Sequence, residues 1–194
     1  MTYGIQTYKS EIVAGSLQAE AARTAVTLAE IMVNMKVLAL VDTSFSMKTA
    51  DAGDNQTRID RAIHDLTALQ RASPGVVGVV SFSDEAIFCA GGQPEDQSSG
   101  TDMVKALQYA LPYDGLVRIV MISDGEPNRV EDTLEVARLF KAPIETIYCG
   151  PKDGEGCEFL KRLAKLTNGM FAQTAEPGAL LAPMKDVLQL TARK

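Results

Sequence analysis

The chain has 194 residues, 46% hydrophobic and 23% charged, which is the balance of a folded globular protein of about one domain and not of a disordered chain. Lys and Arg number 19 against 25 Asp and Glu, a net charge of -6 with no local basic cluster, which argues against a general nucleic-acid binder. A single histidine, His64, excludes His-pair metal sites and makes any Ser-His-Asp arrangement depend on that one residue.

Taken in chain order, the start MTYGIQTYKSEIVAG lacks the basic and continuously apolar stretches of a secretory signal. Leu17, Ala21, Thr24, Leu28, Ile31 and Met35 then recur at spacings of four and three, predicting an amphipathic helix over about 15–33. Residues 1–33 therefore read as an N-terminal extension, and 34–194 as the main domain. The run VLALVD, 37–42, predicts a buried strand, and Ile59, Ala62, Ile63, Leu66 and Leu69 mark a helix over 57–72. His64 falls off that apolar stripe and reads as a solvated residue.

A second buried strand is expected over 76–82, with a tight turn at 83–85 into an antiparallel edge strand, AIFCA. After the loop GGQPEDQSSG, Thr101 and Asp102 open a helix carrying Met103, Val104, Leu107, Ala110 and Leu111. Strand 119–123, helix 130–141, strand 144–149, helix 157–166, strand 170–174 and helix 177–190 follow, the last kinked or split by Pro183. This alternation predicts an α/β fold with a doubly wound, mostly parallel central sheet, one antiparallel edge strand and helices on both faces. Met32, Met35, Met47, Met103 and Met121 are read as core fillers, and DAGDNQ, 51–56, as a solvated turn.

Cys89, Cys149 and Cys157 include no CxxC pair. They are expected as thiols in a reducing compartment, although spacing leaves a Cys149–Cys157 bridge open. The most apolar stretch, 25–41, is interrupted by Glu30, Asn34 and Lys36, so no membrane span is expected and the location is read as cytoplasmic.

In doubly wound sheets ligands bind beyond the C-terminal strand ends, where the strand order reverses. Asp42 and Asp124 end apolar strands that this topology makes neighbours. Asp42, Ser44 and Ser46 alternate along a segment which, if extended, points all three the same way. Carboxylates and hydroxyls without nitrogen or sulfur suit a hard cation, Mg²⁺ with Mn²⁺ or Ca²⁺ possible, and neutral hydroxyls leave the ion under-neutralised and receptive to a further carboxylate. No glycine-rich loop follows the first strand, so no nucleotide is expected.

The segments DTSFS at 42–46, GTD at 100–102 and ISDGEPN at 122–128 resemble, in order and spacing, the three segments of the metal ion-dependent adhesion site of von Willebrand factor A domains. The strand-helix pattern resembles that family over roughly 34–192. The resemblance implies that Ser44 and Ser46 bind the ion directly, that Thr101 supplies a hydroxyl, and that Asp42 and Asp124 bind directly or through water. Phe45 stands where the family often has Gly, so its bulk caps or narrows the partner-facing side, which bears on partner choice; Glu126, beside Asp124, is expected either to reach that partner-binding side or to face solvent. Asp102 is assigned to the helix start and not to the ion.

Together these features point to a cation-dependent protein-binding module whose partner offers an Asp or Glu carboxylate. Analogy within the family adds an intracellular ATPase-linked or stress-resistance assembly as its setting. The alternative is a metal-dependent hydrolase using the same strand ends, with Asp124 or Glu126 as base.

Overall fold

Four strands are buried along nearly their whole length, three of them largely apolar and the fourth, IETIY, carrying Glu145 and Thr146, and their burial dictates the architecture. The computed structural model describes residues 11–51, 56–97, 99–151 and 154–173. Its sheet contains β1 (Val37–Asp42), β2 (Val77–Phe82), β3 (Ala86–Phe88), β4 (Arg118–Ser123), β5 (Ile144–Tyr148) and β6 (Phe171–Gln173). The order is β3-β2-β1-β4-β5-β6, with β3 antiparallel to β2 and every other pair parallel. This is the doubly wound sheet expected from the alternating pattern, and the chain reverses direction across the sheet between β1 and β4.

Side chains along each strand alternate between two apolar clusters. Leu38, Leu40, Val80, Phe82, Ile119 and Met121 face the first cluster, which is covered by α1 (Leu17–Thr24), α2 (Leu28–Met32), α4 (Met103–Ala110), α5 (Val130–Ala137) and α6 (Glu155–Leu166). Val37, Ala39, Val41, Val77, Val79, Val120 and Ile122 face the second, where α3 (Arg58–Ala72) lays down Ala62, Leu66 and Leu69. Met35, Met47, Met103 and Met121 are buried, and Met32 packs against the first cluster from a half-buried position. Cys149 and Cys157 belong to opposite clusters, and none of the three cysteines forms a disulfide.

The single helix expected over 15–33 is two helices. Ala25 closes α1 in the left-handed region (φ 56°), and Thr27 opens α2 with a capping box in which its hydroxyl accepts from Glu30 N–H while the Glu30 carboxylate accepts from Thr27 N–H. Leu17, Ala21 and Ile31 nevertheless reach the same apolar cluster, because the apolar spacing continues across the break. Backbone bonds from Val13 N–H to Gly91 and from Gly75 N–H to Gly15 tie this region to the sheet domain. Elsewhere the differences are at element ends: the helix expected over 130–141 closes at Ala137, and β6 spans Phe171–Gln173. The helix expected over 177–190, with Pro183, and the end of the last strand at Thr174 lie outside the described residues.

Among the described residues no helix is long and apolar enough to cross a membrane. Leu107 on α4 is fully buried in the larger cluster. Leu107→Ala is expected to cost about 2–5 kcal/mol, read as a lower urea midpoint at unchanged m-value.

Candidate functional site

Parallel pairing of β1 with β4 sets Val41 beside Ile122, so the next residues on each strand, Asp42 and Ser123, are adjacent at the C-terminal edge. Both Asp42 and Asp124 are essentially without solvent exposure. Asp42 Oδ1 accepts from the Ser44 N–H at 2.8 Å, a local side-chain-to-backbone turn, and Oδ2 accepts from the Ser123 hydroxyl at 2.5 Å. Burial, and then the neighbouring Asp124 charge, push the Asp42 carboxyl up to about 7 against these stabilising hydrogen bonds.

Ser44 and Ser46 converge, but not along an extended segment. Ser44 is extended, whereas Phe45–Lys48 form a turn of 3₁₀ helix that carries Ser46 round until the two hydroxyls stand 3.1 Å apart. The turn is seated by Met47, fully buried in the second cluster. It also leaves Phe45 outermost, at 73% exposure.

Thr101 is buried, on a loop bonded to both of the others. Phe45 N–H donates to the Ser99 carbonyl at 3.2 Å, Thr101 N–H donates to Asn128 Oδ1 at 3.1 Å, and Asn128 N–H donates to the Thr101 carbonyl at 3.0 Å. Ser83, just past the end of β2, fastens the same loop, its hydroxyl donating to the Gly100 carbonyl at 2.6 Å. Asp102 caps α4 by accepting from Lys105 N–H, and it also accepts both contacts from Arg129 at 2.9 and 3.0 Å. Glu126 is exposed and lines a cavity with Pro127, Glu155 and Phe159.

The loop carrying Asp124 is pressed against the start of α6. Gly125 has φ +79°, and a Cβ there would run into the Gly156 backbone, just as one on Gly156 would meet the Asp124 carbonyl. Only glycine permits both.

Arg58, which none of the three motif segments contains, joins the site. Its Nη1 donates to Asp124 Oδ2 at 2.8 Å. The sequence signal was its place at the first position of a helix, where a cation opposes the helix dipole and calls for an anionic partner. Asn128 and Ser123 lay inside a quoted motif without a role.

The donor set fits a hard divalent cation. Asp124 Oδ1 is buried without a hydrogen-bond partner, a costly state for a carboxylate oxygen, and it lies in a site that also holds a second buried carboxylate and two adjoining hydroxyls. No group of three or more His, Cys, Asp or Glu suited to a metal occurs among the described residues.

No family model matches the chain, and a search of curated protein sequences gives no match. Solved structures do match. BatB from Bacteroides thetaiotaomicron superposes with a TM-score of 0.65 at 16% identity, covering 82% of this chain and 100% of that one. A von Willebrand factor type A protein from Catenulispora acidiphila gives 0.50 at 19% identity over 82% and 42% of the two chains. The fold is that of a von Willebrand factor A domain. Manganese-loaded TRAP protein from Plasmodium vivax gives 0.52 at 16% identity over 80% and 74%.

Because folded Asp42 holds its proton more tightly than the unfolded chain does, protonation favours the fold. Its contribution is fully present below about pH 4 and is lost as pH rises through about 7. In chelator, the stability advantage of Asp42→Asn over wild type should therefore grow between these limits and then level off in chemical denaturation. A difference that is flat with pH would contradict the raised carboxyl.

Proposed function

We propose that this von Willebrand factor A domain is a divalent-cation-dependent protein-binding module. Ser44, Ser46 and Thr101 would hold Mg²⁺ through hydroxyls, and Asp42 and Asp124 through carboxylates directly or by way of water. Mn²⁺ or Ca²⁺ would suit the same oxygen donors. The observation that carries the reading is the buried Asp124 Oδ1 without a partner, in a crevice shared with Asp42 and bordered by paired serine hydroxyls. When bound, the ion supplies an electrophilic position for an anionic ligand.

This chain's own residues shape what such a ligand meets. Phe45 stands exposed beside the two serines and offers an apolar contact. A cavity of about 340 Å³ adjoins Ser44, lined by Thr43, Lys48, Ile59, Ile63 and Pro94, with room for a side chain flanking the partner's carboxylate. Glu126, two residues beyond Asp124, is exposed and contributes negative charge. The manganese-loaded state of the Plasmodium protein is consistent with a cation on this fold. Three cysteines without a disulfide support a reducing compartment, and an intracellular assembly is the setting we favour.

The hydrolase alternative requires a general base free to take a proton from water. Asp124 Oδ2 is held by Arg58, its Oδ1 is the oxygen assigned to the ion, and both Asp42 oxygens accept hydrogen bonds from Ser44 and Ser123, which leaves exposed Glu126 as the base that reading would need. His64 is engaged with its neighbour Asp65, with most of its side chain in solvent. These assignments favour binding over hydrolysis.

Wild type should unfold at a higher temperature with Mg²⁺ or Mn²⁺ than with chelator, the gain being about 2.7 kcal/mol at a hundredfold excess over Kd. Asp42→Ala and Ser44→Ala should fold and lose that gain in differential scanning fluorimetry. Unchanged cation stabilisation in both variants would refute the ligand assignment. In a cation-dependent pull-down, Phe45→Gly should change retention of the partner more than it changes the cation midpoint, and the opposite ranking would remove Phe45 from the partner face.

A further inference from the structure

The crevice already contains a cation. Arg58 is 9% exposed, and its guanidinium is shared between two carboxylates: Nε and Nη2 grip Asp51 Oδ1 and Oδ2 at 2.9 and 2.6 Å, while Nη1 reaches Asp124 Oδ2 at 2.8 Å. The two-pronged grip on Asp51 fixes the plane of the guanidinium, and the remaining nitrogen is thereby aimed at Asp124. One oxygen of Asp124 is taken and the other is left without a partner. At the first position of α3 this charge opposes the helix dipole, so its placement depends on the two carboxylates and not on the helix.

Resting on the reading that the crevice takes a divalent ion, we infer that Arg58 is a built-in competing cation that weakens divalent binding and keeps the loaded site positive toward an incoming anion. Two ionised carboxylates would cancel a divalent ion, leaving little attraction for a further carboxylate. Arg58 restores a unit of positive charge beside Asp124. Asp51 offsets part of that charge from the other edge of the guanidinium, but it is more open to solvent than the buried Asp124 and so acts on the crevice more weakly. The arrangement thus exchanges cation affinity for anion affinity, through a positioning residue that is not itself an ion ligand.

The test is Mn²⁺ titration followed by electron paramagnetic resonance of the free ion, on the full chain as wild type, Arg58→Gln and Arg58→Lys. Thermal unfolding in chelator establishes that each variant is folded. Arg58→Gln is expected to bind Mn²⁺ about tenfold more tightly than wild type, since removing a nearby like charge relieves a repulsion that water screens only in part. Arg58→Lys, which keeps the charge and loses the fork, should stay close to wild type.

Equal or weaker binding by Arg58→Gln would overturn the inference while leaving the cation site in place. No Mn²⁺ binding by wild type would defeat the cation reading and this inference together. Should Arg58→Gln not fold, the Arg58 Nε–H resonance of wild type gives an independent readout in proton-nitrogen NMR. It should shift on Mg²⁺ addition along the binding curve, and a resonance insensitive to saturating Mg²⁺ would overturn the inference.

Discussion

Two carboxylates that cannot both be comfortable set the terms for everything else at the edge of this sheet. Parallel pairing of β1 with β4 brings the ends of both strands to one point, and each strand delivers an aspartate there, out of reach of solvent. Burying like charges side by side is costly. The surrounding groups offset that cost piecemeal: an amide from Ser44, a hydroxyl from Ser123 and a guanidinium from Arg58. Even so, burial and the Asp124 charge displace Asp42 to about 7 and Asp124 Oδ1 has no partner, so the Arg58 guanidinium offsets the crevice's negative charge only in part.

The rim is built to hold that arrangement still. Three loops from three different strand ends are joined by backbone and side-chain bonds running from Phe45 to Ser99, from Ser83 to Gly100 and from Thr101 to Asn128. The Gly125–Gly156 contact then locks the Asp124 loop to α6, which is itself anchored in the larger core by Cys157, Leu160 and Leu163. Oxygen donors are thus carried on rigid supports, while the outermost side chain, Phe45, remains free for contact. The proposed module would discriminate partners through what lies around the ion, because an ion accepts any well-placed carboxylate.

Much of this was legible in the sequence because the central strands are nearly uninterrupted apolar runs, a pattern that parallel strands covered on both faces require. VLALVD and the run ending in ISD each closed on an aspartate, and the topology of doubly wound sheets placed those ends together. Periodicity hid the break at Ala25, since Leu17, Ala21 and Ile31 keep one apolar face on both sides of the turn. The Ser44–Ser46 convergence was correct in outcome but not in cause. A 3₁₀ turn produces it, and nothing in alternating spacing distinguishes that turn from an extended segment.

Arg58 was not legible because the residue it serves, Asp124, lies 66 positions further along the chain. The local cue, a cation at a helix N-terminus, points to some anion without naming one. The proposed function requires a divalent ion lying among the hydroxyls of Ser44 and Ser46 and the two aspartates. A crystal grown with Mn²⁺ and measured at the manganese absorption edge tests that directly. A single strong anomalous peak in contact with both serine hydroxyls, absent from crystals soaked in chelator, is expected. Anomalous density elsewhere on the surface with none at this crevice would contradict it.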